Sequence, residues 1–573
     1  MKLIRMKIND PKGFRRLQQG FEVHFLRDSD YGEAGEFNPY ILTGPNGTGK
    51  SNVLEALATI FYHIECVYLK YRPESFRYDE EENPKGFRGE ISTPNAFELE
   101  YFIPVPKALN NKQEKGHAHI KILKEVEKGP QVLWLNRKSF DDEGENILSR
   151  AEVKEILPKF VLGYSSGENE ILSLPFFKMR FIHFDEYRDR LIRDDFYDQV
   201  PEGRLIYLDD HFSQAILLSN LILQPKEVLI PFQNELNLKG VKEFRLLIGK
   251  HHYENVHEEI YYALSDDEKE DFSKTKKELT SKLMDTIKKL EKCSTTKYTT
   301  YNDDGEEQYL VLDYFVNEAT KEAFRTHFNN SPLELFQAFQ ILYTLNYHII
   351  DQMVRDRIYQ SKNIYLKQDM TSISLDEKSI FRIKEFRLDK DEIDEVVYTR
   401  SLSDGEHQFI HSIGLCLLFK DEPCLFLLDE PETHFNPDWR SKFISRLRDC
   451  FKEGISQSVM REMLITTHTP FLISDSRQKN VLLFNKDVRG EHVEVSRPDF
   501  NTLGASVNKI TIEAFGKSET IGDYAMQELN NLKKRFEDGE SGKKIIKETN
   551  ALLGDSVEKI LFINKIIDSG DGQ

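Results

Sequence analysis

The sequence predicts an α/β fold, and three stretches carry that prediction. Residues 40–43 form a short apolar strand that leads through a glycine-rich turn into a stretch with apolar residues at helical spacing. Late in the chain, residues 424–428 and 463–467 are two more apolar strands, each followed directly by polar residues. Strands that alternate with helices in this way are typical of a sheet covered by helices.

The turn after the first strand has the spacing of a phosphate-binding loop: Gly44-Pro45-Asn46-Gly47-Thr48-Gly49-Lys50-Ser51. In such loops backbone N–H groups surround a pyrophosphate, the lysine reaches the terminal phosphates, and the hydroxyl binds Mg²⁺. The helix that follows would place the anion at its N-terminus. A glycine-rich turn without a ligand is the alternative, and the flanking strand and helix favour nucleotide binding. The predicted nucleotide-binding residues here are Asn46, Gly47, Thr48, Gly49, Lys50, Ser51 and Asn52.

The strand at residues 424–428 ends in two acids, Asp429 and Glu430. In NTPases a carboxylate at such a strand end holds the metal, and a neighbouring group orients the attacking water. We therefore expect Asp429 and Ser51 to bind Mg²⁺, Glu430 to act as the catalytic base, and Lys50 to contact the phosphates. These residues predict the binding and hydrolysis of ATP with Mg²⁺.

A further string, Leu402-Ser403-Asp404-Gly405-Glu406, begins a helix. Ser403 and Glu406 have the spacing of a capping box, and an apolar stripe of helical period follows. Taken alone, the string is explained by the cap. Because it lies one helix before the Asp429 strand, it also resembles the signature motif of ABC-type ATPases. That resemblance implies that Ser403 and Gly405, with Glu406 beside them, contact the γ-phosphate held by a second protomer.

Two more strings follow in the order that ABC-type ATPases have. Residues 431–437 resemble the D-loop of the SMC, RecF and OLD branch, and His468, directly after a strand, resembles its switch histidine. A lone histidine after a strand is more often structural, but the neighbouring motifs favour the catalytic role. By these strings the chain resembles ABC-type, SMC-like AAA-family ATPases of bacterial antiphage defence.

Shorter strings resemble restriction-system-associated ATPases and PtuA, the ATPase of the Septu system: residues 1–8, 14–17, 61–65, 164–170 and 553–559. The resemblance implies a split ATPase head with an antiparallel β lobe and a helical insertion. It further implies a homodimer or higher homo-oligomer that controls a separate HNH-type nuclease.

Only about 100 residues follow His468, too few for a full nuclease domain with its own core. A RecF-like DNA-repair clamp is the main alternative, and a transporter subunit or an ATP-binding scaffold is less favoured.

Two basic sets are candidates for DNA contact: Lys2, Arg5, Lys7, Lys12, Arg15 and Arg16, and Lys274, Lys276, Lys277, Lys282, Lys288 and Lys289. The net charge of −19 argues against a surface that coats nucleic acid, and such runs are usually solvated faces. The resemblance gives Arg15 and Arg16 another role, contact with ATP. It also makes Glu168, Asn169 and Glu170 candidates for the Q-loop.

Composition limits the class of protein. At 573 residues with 39% hydrophobic content, the chain should form more than one core. No run of about 18 apolar residues predicts a membrane span, and the charged first residues do not fit a signal peptide. The five cysteines lack paired ligand spacing, which predicts buried, reduced thiols and a cytoplasmic protein.

We expect four parts. Residues 1–180 form the N-terminal ATPase lobe with the phosphate-binding loop, and residues 181–364 form a mainly helical insertion. Residues 365–515 form the C-terminal ATPase lobe with the signature, the Asp429 strand and the histidine, and residues 516–573 form a helical tail. Within the insertion, helices are predicted in 213–236, 254–290 and 331–359, with a break at Pro225 and Pro231.

Overall fold

A computed structural model gives the fold. It describes residues 1–27, 37–69, 93–166, 172–192, 203–249, 283–350, 352–360, 379–390, 397–452, 459–516 and 521–569, together with 72–73, 76–77, 79–81 and 86–87. The described strands form three sheets, and helices pack on the central one. The fold is mixed α/β, as the sequence predicts.

The strands are β1 Lys2–Ile8, β2 Glu22–His24, β3 Tyr40–Thr43, β4 Phe97–Pro104, β5 His117–Lys124, β6 Gln131–Trp134, β7 Phe160–Ser165, β8 Leu205–Tyr207, β9 Leu238–Gly249, β10 Thr296–Tyr301, β11 Glu307–Phe315, β12 Phe381–Lys390, β13 Val397–Tyr398, β14 Cys424–Asp429, β15 Glu462–Thr466, β16 Val481–Lys486 and β17 Val493–Ser496. The α-helices are α1 Lys50–Tyr68, α2 Arg150–Glu155, α3 Ser173–Ile192, α4 Asp210–Leu223, α5 Ile230–Leu236, α6 at 283–293, α7 Glu318–His327, α8 Pro332–Leu345, α9 Gln352–Gln360, α10 Asp404–Leu418, α11 Pro437–Asp449, α12 Pro470–Ser474, α13 Val507–Phe515, α14 Asp523–Glu537, α15 Gly542–Leu552 and α16 Val557–Asp568.

The central sheet has seven strands in the order β17-β16-β3-β15-β14-β7-β8. Neighbouring strands are parallel except β17, which runs antiparallel to β16. Every residue of β3, β7, β14 and β15 is buried, which explains their unbroken apolar sequences. The three predicted strands are confirmed, and they lie side by side.

An antiparallel sheet in the order β2-β1-β4-β5-β6 belongs to the N-terminal lobe. Buried residues alternate with half-buried ones along most of β4, so one face packs on a core and the other carries charges. On the charged face, Arg5 and Lys7 of the first basic set pair with glutamates, namely Glu22, Glu98 and Glu100. The fold thus neutralises these two cations internally.

The third sheet lies partly in the insertion, for which the sequence predicts mainly helices. Its order is β10-β11-β9-β12-β13, with all neighbours antiparallel. Strands β9, β10 and β11 come from the insertion, and β12 and β13 come from the second lobe. Along β9, buried residues such as Phe244, Leu246 and Ile248 alternate with more exposed ones. Local periodicity did not indicate the sheet because the strands that complete it lie far along the chain.

The predicted helices of the insertion are confirmed in part. Helix α5 lies within the predicted stretch 213–236, and α4 begins shortly before it. The break between the two helices falls between Leu223 and Ile230, near the two prolines. Helices α8 and α9 account for most of 331–359. Of the stretch 254–290, residues 254–282 lie outside the described residues, and α6 covers the rest.

The tail helices α14, α15 and α16 share a small core of their own, formed by Leu529, Leu532, Ile545, Phe562 and Ile566. Across the described ranges, no helix has the length and apolar character that a membrane span requires. All five cysteines are buried free thiols, as predicted.

A buried ion pair joins β1 to β15. Lys2 Nζ lies 3.3 Å from Glu462 Oε1, and the backbone N–H of Leu3 donates to Glu462 Oε2 at 3.0 Å. Only 7% of the Lys2 side chain and 1% of the Glu462 side chain are exposed. Burial raises the pKa of Glu462, while Lys2 acts to lower it.

Replacing Glu462 with alanine would leave Lys2 buried without this partner, and we expect a loss of about 3–5 kcal/mol in the free energy of unfolding. Chemical denaturation measures the change. Lys442→Ala, which removes an exposed pair with Asp438 on α11, is the control and should leave the midpoint unchanged. Equal midpoints for the two variants would contradict the structural role of the buried pair.

Candidate nucleotide-binding site

The phosphate-binding loop connects β3 to α1, and its three glycines have positive φ. Gly44, Gly47 and Gly49 have φ values of 139°, 74° and 84°. A Cβ at Gly44 would lie 2.1 Å from the carbonyl oxygen of Phe484 in β16, so only glycine fits there. At Gly47 nothing lies within 4 Å of such an atom. The loop is therefore held against the sheet at its first residue and open in its middle.

Lys50, the first residue of α1, folds back over this loop. Its Nζ donates to the carbonyl oxygens of Gly44 and Pro45, both at 3.0 Å. Burial lowers the pKa of Lys50 to about 8, while Glu430 and Asp429 act in the opposite direction. Phosphate oxygens could replace the two carbonyl partners, and their negative charge would favour the protonated amine.

Asp429 lies at the buried end of β14 beside Ser51. It accepts hydrogen bonds from Ser51 Oγ at 2.7 Å, from Thr466 Oγ1 at 2.5 Å and from Ser165 Oγ at 3.4 Å. Burial raises the pKa of Asp429, and the three donors act to lower it. A hydroxyl and a carboxylate meet here, and Mg²⁺ prefers oxygen ligands of this kind. The two predicted metal ligands are thus adjacent and fit the ion.

Glu430 has a left-handed backbone, with φ of 48°. Its N–H is directed at Thr466, lying 3.2 Å from the carbonyl oxygen and 3.1 Å from the hydroxyl. Its Oε1 lies 3.3 Å from Nε2 of His468, and the hydrogen bond with His468 lowers the pKa of the Glu430 carboxyl. The side chain is 39% exposed. An ionised carboxylate open to solvent on one side can accept a proton from water, which fits a general base.

Sequence reasoning missed a further acid of this region, Glu432. It is 3% exposed, and its Oε1 accepts a hydrogen bond from Thr467 Oγ1. Burial raises the pKa of Glu432 to about 7. In the sequence it is one acid in a polar segment, and the only signal of its burial is its position two residues after the Asp429-Glu430 pair.

The predicted signature residues begin α10. The Ser403 hydroxyl accepts the N–H of Glu406, and Glu406 Oε2 accepts the N–H of Ser403, so the capping box is confirmed. A Cβ at Gly405 would lie 2.9 Å from the carbonyl oxygen of His434, so the helix start packs on the segment after β14. Among the described residues, no hydrogen bond or ion pair joins this helix start to residues 44–51.

Arg15 and Arg16 lie near the loop in different settings. Arg15 Nε donates to Glu55 Oε1 at 2.9 Å, so its charge is already paired. The Cβ of Arg16 lies 3.5 Å from the position that a Cβ at Gly49 would take, and the residue is exposed. Arg16 is therefore the better placed of the two for contact with a nucleotide. Asn52 Nδ2 also donates to Glu55, at 3.2 Å.

The remaining predicted residues differ in setting. Asn46 is exposed at the loop surface, whereas Thr48 is buried and its Oγ1 donates to the Pro45 carbonyl oxygen at 2.8 Å. The Q-loop candidates Glu168, Asn169 and Glu170 lie outside the described residues.

A glycine-rich loop between a buried strand and a helix, with an acid on a nearby parallel strand, is the arrangement of a P-loop ATPase. The chain has this arrangement. It belongs to the AAA ATPase domain family, whose profile matches residues 1–473. The predicted ATPase class is confirmed at this level.

Individual relatives are more distant. Protein ea59 of Escherichia phage lambda is 27% identical over 175 residues, which are 29% of this chain and 30% of the phage protein. The chain thus matches less than a third of the length of that relative. Similar solved structures are the SMC head domain from Thermotoga maritima and the recombination mediator protein RecF-ATPrS. The SMC head domain is 10% identical with a TM-score of 0.31, and the match covers 87% of this chain and 100% of the head-domain chain. RecF is 13% identical with a TM-score of 0.28, and the match covers 86% of this chain and 97% of the RecF chain.

Glu430→Gln should lower the ATPase rate by about 10²–10⁴-fold, because an amide cannot accept the proton, while ATP binding is kept. Lys50→Ala should abolish ATP binding, since it removes the cation at the loop. Phosphate release and the binding of a fluorescent ATP analogue measure the two effects. Near wild-type hydrolysis by Glu430→Gln would show that another group is the base.

Proposed function

We propose that the chain hydrolyses ATP as an SMC-like ATPase subunit of a bacterial antiphage defence system. The observation that carries the ATPase proposal is the meeting of Lys50, Ser51, Asp429, Glu430 and His468 at the ends of three adjacent parallel strands. Phosphoryl transfer to water uses a cation on the phosphates, ligands for Mg²⁺ and a group that orients or deprotonates the water, and this sheet edge offers residues for each.

Each group has a separate task in this mechanism. The loop N–H groups and Lys50 bind the phosphates, and Glu430 takes the proton of the attacking water. His468 lies beside Glu430 and orients it. Mg²⁺ held by Ser51 and Asp429 would supply positive charge to the phosphates as negative charge develops there.

The signature residues support a dimer. Within one chain, the described helix start at Ser403 and Gly405 packs on the segment after β14 and shares no hydrogen bond with the loop. We infer that it closes the site of a second copy, so a twofold dimer would contain two equivalent sites. ATP would then favour the closed dimer, because only that state makes contacts to the nucleotide from both protomers.

The defence role and the separate HNH-type nuclease rest on the resemblance of the short strings to restriction-associated ATPases and to PtuA. A RecF-like clamp would use the same head on DNA. The two differ in the effect of a partner. DNA should stimulate the ATPase of a clamp, whereas a defence ATPase should confer nucleotide-dependent activity on its nuclease partner.

Mixing Lys50→Ala with Ser403→Arg protomers should restore about a quarter to a half of the ATPase activity, because each mixed dimer contains one composite site with every group intact. Each variant alone should be inactive. Co-purification of the untagged variant through an affinity tag carried only by the other variant establishes that mixed dimers form, and a fully inactive preparation of such dimers would contradict closure by the partner.

The purified chain should hydrolyse ATP and leave plasmid DNA intact in Mg²⁺ or Mn²⁺. Co-purification with the product of the adjacent gene should add nuclease activity that depends on the nucleotide state, since a ligand that favours one head conformation shifts whatever binds the two conformations unequally. Lys50→Ala in the complex is the control. Metal-dependent cleavage by this chain alone, lost on substitution of one of its own residues, would refute the separate nuclease.

A further inference from the structure

Three consecutive residues, the last of β15 and the two that follow it, each meet a different acid at the end of β14 or just after it. Thr466 donates to Asp429, and His468 lies beside Glu430. Thr467, between them, donates from Oγ1 to Glu432 Oε1. The mechanism above gives roles to Asp429, Glu430 and His468 and none to Glu432.

Thr467 connects three parts of the site. Its backbone N–H donates at 3.1 Å to the carbonyl oxygen of Leu42, in the strand that leads into the phosphate-binding loop. Its hydroxyl donates to Glu432 and accepts the N–H of Thr469 at 3.0 Å. In the sequence, His468 lies between Thr467 and Thr469, the two residues that this last hydrogen bond joins. The position of the histidine therefore depends on the orientation of one hydroxyl group.

Glu432 fixes that hydroxyl from a buried position. Its Oε2 has no hydrogen-bond partner among the described residues. Burial raises the pKa of Glu432 to about 7, Glu430 acts in the same direction, and Arg440 acts to lower it. Arg440 Nε also lies 3.4 Å from the backbone carbonyl oxygen of Glu432. A carboxyl in this setting is partly neutral at pH 7, and glutamine reproduces its shape and its acceptor oxygen.

We propose that Glu432 is a positioning residue for ATP hydrolysis. Through the hydroxyl of Thr467 it holds residues 467–469, and with them His468, in place. This inference rests on the proposed ATPase function. In the described chain, no hydrogen bond or ion pair joins Glu432 to residues 44–51 or to Asp429. Its loss should therefore change kcat and leave ATP binding intact.

Three variants test the contact. Glu432→Leu removes the acceptor, and Thr467→Val removes the donor at nearly constant volume. Each should lower kcat about 10–100-fold, because a misplaced catalytic group costs a factor of this size, with KM and ATP affinity within about twofold. Glu432→Gln keeps the acceptor and should hydrolyse ATP within about threefold of the wild-type rate. The double variant Glu432→Leu/Thr467→Val should be no slower than Thr467→Val alone, because that substitution already removes the contact with Glu432 together with the acceptor for the Thr469 N–H.

Thr502→Val is the matched control. Thr502 is also fully buried in the second lobe, and its hydroxyl donates to the Ser476 carbonyl oxygen at 2.6 Å. This variant should lower the melting temperature and leave kcat unchanged.

The possible outcomes distinguish a failure of the proposed ATPase function from a failure of the proposed role of Glu432. Absence of hydrolysis by the folded wild-type protein overturns the proposed function. Active wild-type protein, with Thr467→Val and Glu432→Leu both at the wild-type kcat, overturns only the role of Glu432. A rise in KM without a fall in kcat, or equal losses for Glu432→Gln and Glu432→Leu, overturns that role as well. If Glu432→Leu does not fold, Thr467→Val and Glu432→Gln decide by the same criteria.

Discussion

The parallel pairing of β3, β15 and β14 is the constraint on which the site depends. Asp429 pairs with Thr466, and Thr466 pairs with Leu42, so the carboxyl ends of three strands meet at one edge of the sheet. The side chains of successive strand residues point to opposite faces. A slip of β15 by one residue would therefore place Thr467 opposite Asp429 and move His468 away from Glu430. The register of this strand sets the chemistry of the site.

The acids of this edge are stabilised differently from those elsewhere in the molecule. On the N-terminal antiparallel sheet, Glu98 and Glu100 both meet Arg5 and Lys121, whose two positive charges offset theirs. Asp429 instead receives hydrogen bonds from neutral hydroxyl groups, among them those of Ser51 and Thr466. Neutral donors favour the ionised carboxylate and leave its charge uncompensated. A buried acid held in this way retains its attraction for a cation.

Local features of the fold could be predicted from the sequence. The glycine-rich loop between a strand and a helix, the buried strands and the cap of α10 each depend on residues within one short stretch, and the structure contains all three. The third sheet was missed because β9 pairs with β11 and β12, far along the chain, and no local period reports such a partner. The same limit applies to the site. The pairing of Arg15 with Glu55 depends on where α1 lies. The burial of Glu432 becomes visible only once β15 lies beside β14.

The order of the central sheet also determines when the nucleotide site can be assembled. Strand β3 lies between β15 and β16, which occupy residues 462–466 and 481–486. The N-terminal antiparallel sheet, by contrast, is complete at residue 134. A nascent chain grows by about 5–20 residues per second, so β3 waits roughly 20–90 s for its neighbours while the antiparallel sheet can already fold. The loop at its end therefore acquires its final geometry late in synthesis, once both neighbours of β3 have been made.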